Sequence, residues 1–205
     1  MGNVPVMPPD KKLAVATPMR VVPSVEGLFD LTGYLTPYSD VVAQLVLAHQ
    51  KRVTNMMVRL GWEARVAAAE PGADASARVR EAAAALVDYM LFIDEEPLPG
   101  RVRGTSGFAE AFAKSGPRDS RGRSLRDFDL ERRLFRYPLS YMIHAEAFDH
   151  LPEDAKQAVY GRLLHVLTGR DPHPRYRVLT AADRRAIAQI LRDTKKGLPE
   201  GFAAL

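Results

Sequence analysis

The sequence predicts a mainly α fold, a single irregular bundle of about six or seven helices preceded by an extended N-terminal arm. Three observations lead to this prediction. Apolar residues recur at helical spacing in several segments, turn residues separate those segments, and no convincing strand ladder is visible. The 205 residues suffice for one good core and are few for two domains. We therefore predict an arm over 1–38 and one helical domain over 39–205.

The arm is rich in proline and shows no helical periodicity. A segment of this kind buries little surface by itself, so an ordered arm would lie on the body of the protein or on a partner. The sequence therefore predicts a protein partner that engages the N-terminal arm.

The first strong helix is expected to begin after an N-cap at Ser39, with Asp40 in its first turn favoured by the helix dipole. Its apolar residues form one face with the spacing i, i+3, i+4. They are Val42, Leu45, Val46, Val53, Met56, Met57 and Leu60. Gly61 is expected to end or bend this helix. A Pro-Gly turn then leads to a second helix over about 74–93.

Shorter helices are expected in the second half of the chain. Ser124, with Asp127 three residues later, has nearly the pattern of a capping box, and Thr180 with Asp183 has the same spacing. Pro138 should interrupt or kink the helix that contains it. The expected ranges are 105–114, 124–136, 139–148, 152–168 and 180–196.

Composition excludes several classes of function. Cysteine is absent, which rules out disulfides, zinc fingers, iron–sulfur clusters, thiol catalysis and covalent haem attachment. No apolar run approaches the roughly 18 residues that cross a bilayer. Neither P-loop, dinucleotide, HExxH nor GxSxG spacing occurs in a suitable setting. The sequence therefore predicts no catalytic residues.

The charge distribution permits an anionic partner. The formal charge is +4, and ten Lys or Arg face five Asp or Glu between Arg101 and Arg136. Local ion pairs on a solvated face are the commoner explanation of such an excess. Anion or nucleic-acid binding through 101–136 is an alternative, although no nucleic-acid-binding module is recognisable, which disfavours nucleic acid as a partner.

The densest polar and aromatic group of the chain lies between positions 126 and 141. Arginine grips carboxylate or phosphate through two parallel hydrogen bonds and stacks on aromatic rings. The group is therefore a candidate site for an anion or a protein partner. An internal network with neighbouring acids is the structural alternative, and it is the commoner arrangement. The candidate residues are Arg126, Arg132, Arg133, Arg136, Tyr137 and Tyr141.

His49 lies on the apolar face of the first helix, four residues before Val53. A buried neutral histidine needs hydrogen-bond partners for its ring nitrogens. A structural histidine of the core is the commoner interpretation. The alternative is a ligand to haem b or a metal in a redox protein, and beyond this alternative no cofactor is predicted.

Three acidic residues, Asp94, Glu95 and Glu96, follow the end of the second expected helix. Negative charge at this end opposes the helix dipole. A cation site built from oxygen ligands would explain them. Ion pairs with arginines in 101–136 would explain them too and are more common.

Two long stretches and the tail resemble an uncharacterised helical domain of bacterial exported proteins. They are GYLTPYSDVVAQLVLAHQKRVTNMMVRLGWEARVA, FDLERRLFRYPLSYMIHAEAFDHLP and ILRDTKKGLPEGF. The resemblance covers about residues 25–205. It implies a bacterial origin and an extracytoplasmic or periplasmic location, and it assigns no activity to any residue. With no catalytic constellation in the sequence, the leading hypothesis is a non-enzymatic interaction or accessory module, as a subunit of a larger extracytoplasmic assembly.

Overall fold

The protein is a helical bundle, and the predicted mainly α fold is confirmed. The computed structural model describes residues 40–203 together with Gly27, Asp30 and Thr32. Its α-helices are α1 (Val41–Ala69), α2 (Ala73–Met90), α3 (Phe108–Lys114), α4 (Glu146–Asp149), α5 (Glu153–Leu167) and α6 (Ala181–Thr194). Short 3-10 helices span Tyr141–His144, Pro174–Val178 and Glu200–Phe202. Apart from those three positions, the predicted arm over 1–38 lies outside the described residues, so the predicted partner contact of the arm stays a prediction.

The core forms around α2, which packs against both α1 and α5. Each of these helices contributes side chains with no or almost no exposed surface, such as Leu60, Leu86 and Leu163. Burial of leucine-sized side chains is the main favourable term in folding, at about 1.5–3 kcal/mol for each one. Phe135, in the segment between α3 and α4, and Phe148 of α4 close the core.

The first helix begins one residue later than the sequence predicts. Its N-cap is Asp40, not Ser39, because the Asp40 carboxylate accepts hydrogen bonds from the amides of Val42 and Ala43 at 2.8 and 3.0 Å. Aspartate and serine are comparable N-caps. The sequence alone therefore could not choose between these two adjacent residues.

The same Asp40 carboxylate ties the start of α1 to a distant loop. Its second oxygen accepts bonds from the amides of Thr105 and Ser106, each at 3.1 Å, and from the Ser106 hydroxyl at 2.6 Å. Burial acts to raise the pKa of Asp40, but these bonds outweigh it and lower that pKa to about 2. A β-carbon at Gly104 would lie 2.6 Å from the carboxylate, so glycine is needed for this approach.

The sequence predicts that the first helix ends or bends at Gly61, and the prediction of an end is wrong. α1 continues through Gly61 to Ala69. A β-carbon at position 61 would lie 3.6 Å from a methyl of Leu151 and 3.8 Å from Pro152. These are ordinary van der Waals distances, so the 151–152 segment packs on α1 at Gly61 without requiring glycine there. The burial of the apolar face of α1 outweighs the cost of about 1 kcal/mol that glycine brings to a helix.

The predicted helix over 124–136 does not form. The segment 127–136 is instead a hairpin in which Asp129 N donates to Leu134 O at 3.1 Å and Arg136 N donates to Asp127 O at 2.8 Å. An isolated antiparallel bridge joins Phe128 to Phe135. This region is called the 127–136 hairpin below.

Aspartate side chains explain why the hairpin replaces the helix. The Asp129 carboxylate accepts the amides of Glu131 and Arg132 at 3.0 and 2.8 Å, which holds the turn. Leu130 has a left-handed φ of 58° within it. Aspartate competes with helix formation in this way by bonding nearby backbone groups. Apolar spacing alone does not reveal that competition.

The remaining expectations are met in part. The segment 139–148 divides into a 3-10 turn and α4, separated by the extended backbone of Ala145. α2 ends at Met90, before the predicted Ile93, because Phe92 adopts a left-handed φ of 56°. The capping box of Thr180 and Asp183 at the start of α6 is confirmed. None of the described helices has both the length and the apolar character needed to cross a membrane.

Candidate functional site

A cavity of about 620 Å³ opens between the 127–136 hairpin and the first half of α6. Four arginines, three acids and one tyrosine give it a polar lining. We call this cavity the arginine cleft. Its lining residues are Arg123, Phe128, Asp129, Glu131, Arg132, Arg133, Arg136, Tyr137, Ala182, Asp183 and Ala186.

Arg123 is fixed at one wall of the arginine cleft. Its guanidinium lies 2.7 Å from the Asp119 carboxylate and donates to Gln189 of α6 at 2.8 Å. The Asp119 side chain is fully buried and also accepts the amides of Arg121 and Arg123. Burial works to raise the pKa of Asp119, but the bonds from Arg123 outweigh it and lower that pKa. This wall is therefore rigid and internally neutralised.

Arg133 joins the hairpin to α6. It donates to the Asp183 carboxylate at 2.8 Å and to the carbonyl of Arg136 at 2.8 Å. Asp183 also completes the capping box of α6, so one carboxylate serves both the helix and the cleft. The ion pair of Arg132 with Asp129, at 3.3 Å, is looser, because the Arg132 side chain is 82% exposed.

Arg136 differs from the other arginines of the cleft. It is exposed, and within the described part of the chain no acidic oxygen lies within ion-pair distance of it. Its guanidinium carbon lies 5.7 Å from the centre of the Tyr137 ring, and that of Arg123 lies 5.9 Å from the same ring. Both guanidinium groups are therefore within the range of a cation–π contact with Tyr137.

Two of the six residues predicted as a group lie elsewhere. Arg126 packs over the rings of Phe112 and Tyr141, at 4.7 and 5.0 Å from their centres, and donates to Ser115. The Tyr141 hydroxyl donates to Gln50 at 3.1 Å, and burial raises the pKa of Tyr141. These two residues belong to an internal aromatic cluster. The structure brings only Arg132, Arg133, Arg136 and Tyr137 to the cleft.

His49 is a buried residue, and one of its two ring nitrogens has a hydrogen-bond partner inside the core. Its ring is 5% exposed, and Nε2 lies 2.7 Å from the Ser140 hydroxyl. The rings of Tyr89 and Phe92 stack on it at 5.2 and 4.8 Å between centres. Burial lowers the pKa of His49 to about 4, so it is neutral at pH 7. An axial ligand of haem needs a free nitrogen facing a cavity, and this arrangement does not suit that role.

Of the three acidic residues that follow α2, Asp94 pairs with a different arginine from those that the sequence suggests. Asp94 pairs with Arg175 at 2.5 Å, outside the expected 101–136 segment, and Arg175 also contacts Asp88 at 3.2 Å. Glu95 and Glu96 line a neighbouring cavity of about 420 Å³, which shares Arg132, Arg133 and Asp183 with the arginine cleft. Burial raises the pKa of Glu95. Among the described residues, no group of three or more potential side-chain ligands could hold a metal ion.

Sequence reasoning missed the acids that organise the cleft. Asp119 and Asp183 lie in segments interpreted as a loop and a helix cap, and Asp183 is fifty residues from its partner Arg133. A capping signal pointed to Asp183, but no local pattern could reveal its second role.

A second polar network was also missed. The Tyr176 hydroxyl donates to Asp88 at 2.6 Å, and Arg162 pairs with Asp171 at 2.7 Å and contacts the same hydroxyl. Burial and the bond to Asp88 raise the pKa of Tyr176 to about 12. This network links α2 to α5 and to the 3-10 helix over Pro174–Val178, and within the described residues the buried Nε of Arg162 has no hydrogen-bond partner.

Comparison with known proteins finds no matching family model, no similar curated protein and no similar solved structure. The resemblance to an exported helical domain therefore stays a prediction. The arguments for function below rest on the geometry of the chain itself.

Proposed function

We propose that the protein is a non-enzymatic binding module that recognises a carboxylate group of a protein partner through the arginine cleft. One observation carries the proposal. Arg136 is an exposed cation in a polar cavity, and no described acid pairs with it, whereas each of the other arginines that line the cavity pairs with an acid. A carboxylate of the ligand would give Arg136 the acidic partner that the other three arginines find within the chain.

The surroundings of Arg136 favour a defined ligand geometry. Guanidinium and carboxylate form two parallel hydrogen bonds, which gives direction as well as strength. Arg133 holds the Arg136 carbonyl and is itself held by Asp183, so the hairpin is fixed before a ligand arrives. A site fixed in advance loses less conformational entropy on binding. Tyr137 also lines the cleft, and a tyrosine hydroxyl can donate a hydrogen bond to a carboxylate.

The charge balance favours a single carboxylate over a nucleic acid. Four acids of the arginine-rich segment pair with arginines of the same segment. The pairs are Asp119–Arg123, Asp127–Arg118, Asp129–Arg132 and Glu131–Arg101. Binding along a phosphate backbone depends on several unpaired cations that displace counterions. These pairs do not change the net charge of the segment, but three of the four arginines that line the cleft pair with acids. Within the described residues the cleft therefore presents one unpaired cation and not a row of them.

We also propose that the module works as a subunit of an extracytoplasmic bacterial assembly. The resemblance of residues 25–205 to a domain of exported proteins supports this part of the proposal. The predicted contact between the arm and a protein partner belongs to it as well.

The test is a binding titration with a fluorescein-labelled oligoglutamate peptide, followed by fluorescence anisotropy at low salt. We expect Arg136→Ala to weaken binding about tenfold, because a charge-assisted hydrogen bond is worth about 1.5–3 kcal/mol in favourable settings and less at an exposed site. Arg80→Ala is the matched control, since Arg80 is an exposed arginine of α2. It should leave the affinity unchanged.

Two results would count against this function. Equal losses in the Arg136→Ala and Arg80→Ala variants would show that only net charge matters. Retention of a DNA duplex with a steep salt dependence, in preference to the peptide, would favour nucleic-acid binding instead.

A further inference from the structure

The outer side of α1 exposes large apolar side chains. Among the described residues, the exposed large apolar ones are Val41, Leu47, Val58, Trp62 and Val178, and all except Val178 lie on α1. Trp62 is 65% exposed, Val58 67% and Leu47 57%. Single exposed apolar residues are ordinary, but a concentration on one element marks an interaction surface.

The spacing of these residues places them on one face. Leu47, Lys51, Val58, Trp62 and Arg65 follow one another at intervals of three, four or seven residues, which is the repeat of a helix face. The buried face of α1 carries Val46, Val53, Met57 and Leu60 instead. We call the first group the outer face of α1. From Leu47 to Trp62 it is about 22 Å long at 1.5 Å per residue.

The charges beside the outer face have one sign. Lys51, Arg59 and Arg65 are exposed, and none pairs with an acid within the described ranges. The acid nearest to Trp62 along α1 is Glu63, and Arg78 of α2 neutralises it at 3.1 Å. The surface therefore combines an indole ring and aliphatic side chains with positive charge.

We infer that the outer face of α1 docks a segment of a protein partner in which apolar side chains are flanked by aspartate or glutamate. Tryptophan is among the residues that most often carry binding energy at the centre of an interface. The flanking cations select an acidic partner by charge complementarity.

The same charges argue against a second copy of this chain. If two copies packed their α1 helices antiparallel through the outer faces, Trp62 of one copy would lie near Leu47 of the other. Lys51 and Arg65 of both copies would then lie in the same interface, which would hold four positive charges. Like charges that face each other across an interface cost affinity. A membrane surface fits less well too, because Thr54 and Asn55 interrupt the apolar stripe that an interfacial helix presents to lipid.

The inference is independent of the arginine cleft, because the two surfaces share no residue. The chain also carries its own probe, since Trp62 is its only tryptophan. The experiment follows Trp62 fluorescence in the full chain during titration with a synthetic amphipathic peptide that has leucines on one face and glutamates beside them. A matched peptide with lysines in place of the glutamates is the control ligand.

With the acidic peptide, we expect a saturable shift of Trp62 emission to shorter wavelength and protection from acrylamide quenching. The lysine peptide should give neither effect. Val58→Ser and Lys51→Glu should each weaken binding of the acidic peptide about tenfold, a change of about 1.4 kcal/mol. Val178→Ser, at an exposed valine outside α1, should leave it unchanged.

Several results would overturn the inference. Trp62 that is already protected from acrylamide in the isolated chain would show that the arm or a second copy covers the face, and sedimentation would tell the two apart. A shift caused by phosphatidylserine vesicles and not by the acidic peptide would identify a membrane surface. Loss of the peptide effect in Arg136→Ala would place the ligand in the arginine cleft.

Discussion

The helical core and the 127–136 hairpin are held together by different forces. In the core, α1, α2 and α5 meet through side chains that have almost no exposed surface. In the hairpin, aspartate carboxylates hold the backbone and arginines connect it to α6. The core therefore sets the fold through apolar burial, whereas the hairpin builds a polar cavity through directional contacts. Substitutions in the two regions should have different signatures.

The largest effect is expected from a cavity in the core. Leu60 has no exposed surface, so Leu60→Ala should lower the free energy of unfolding by about 2–5 kcal/mol. Val58→Ala, two residues away on the exposed side of the same helix, should change it by less than about 0.5 kcal/mol. Urea denaturation monitored by circular dichroism measures both. Similar values for the two variants would contradict the assignment of the two faces of α1.

As the pH is lowered, protonation of buried histidines in the core should reduce the free energy of unfolding before the aspartates that hold the hairpin lose their charge. Burial lowers the pKa of both His49 and His144 to about 4, whereas an unfolded histidine titrates near 6.5. The unfolded state thus binds protons more readily, so the free energy of unfolding falls as pH falls from about 6.5 to about 4. The steepest slope is about 1.4 kcal/mol per pH unit for each histidine. Asp119 and Asp183 have pKa values below the ordinary 3.8 and lose charge only at lower pH.

The measurement is urea denaturation at a series of pH values. The raised pKa of Glu95 has the opposite effect over part of the pH range, because the folded state binds this proton more readily and the free energy of unfolding then rises as the pH falls. His144→Gln should reduce the slope, because glutamine does not titrate. The glutamine amide can still bond the Thr194 hydroxyl that the histidine contacts at 3.0 Å. Stability that stays constant between pH 7 and pH 5 would show that these histidines are not withdrawn from water.

Comparing the two regions also shows what sequence can predict. The helices follow from apolar spacing and capping residues, as Thr180 and Asp183 show for α6. The prediction of a helix over 124–136 is wrong, because it rests on the spacing of Ser124 and Asp127, which is nearly that of a capping box. The deciding contacts are those of the Asp129 carboxylate with the amides of the turn, and composition and periodicity do not encode them.

The candidate site was predictable only as a set of residue types. Arg136 and Tyr137, which the sequence grouped, line the same cavity. The group also included Arg126, which packs on the aromatic rings of Phe112 and Tyr141 in another cluster. The partners Asp119 and Asp183 come from other segments of the chain. The tertiary structure therefore decides which arginines pair with an acid and which stay unpaired.

An intermediate effect is expected at the rigid wall of the arginine cleft. Asp119→Asn removes the charge that faces Arg123 and should cost about 1.5–3 kcal/mol of unfolding free energy. Glu81→Gln, on the exposed surface of α2, is the matched control and should be neutral within about 0.5 kcal/mol. Thermal and urea unfolding provide the values. Equal stability of the two variants would mean that the wall is not held by this ion pair.

The smallest effect is expected at Arg132. Because its side chain is 82% exposed, its ion pair with Asp129 is screened by solvent. Arg132→Ala should therefore change the free energy of unfolding by about 0–1 kcal/mol, and added salt should diminish the difference. A loss as large as that of Asp119→Asn would show that the hairpin depends on this pair.

The most direct test of the account is to locate the bound carboxylate. In protein labelled with ¹⁵N, the side-chain Nε–Hε signals of arginines can be assigned with single variants and followed during titration with oligoglutamate. The proposed function predicts that Arg136 shifts first and furthest, with smaller shifts at Arg132 and none at Arg80. Shifts that are spread evenly over exposed arginines, or centred on Arg52 or Arg175, would contradict a carboxylate site in the arginine cleft.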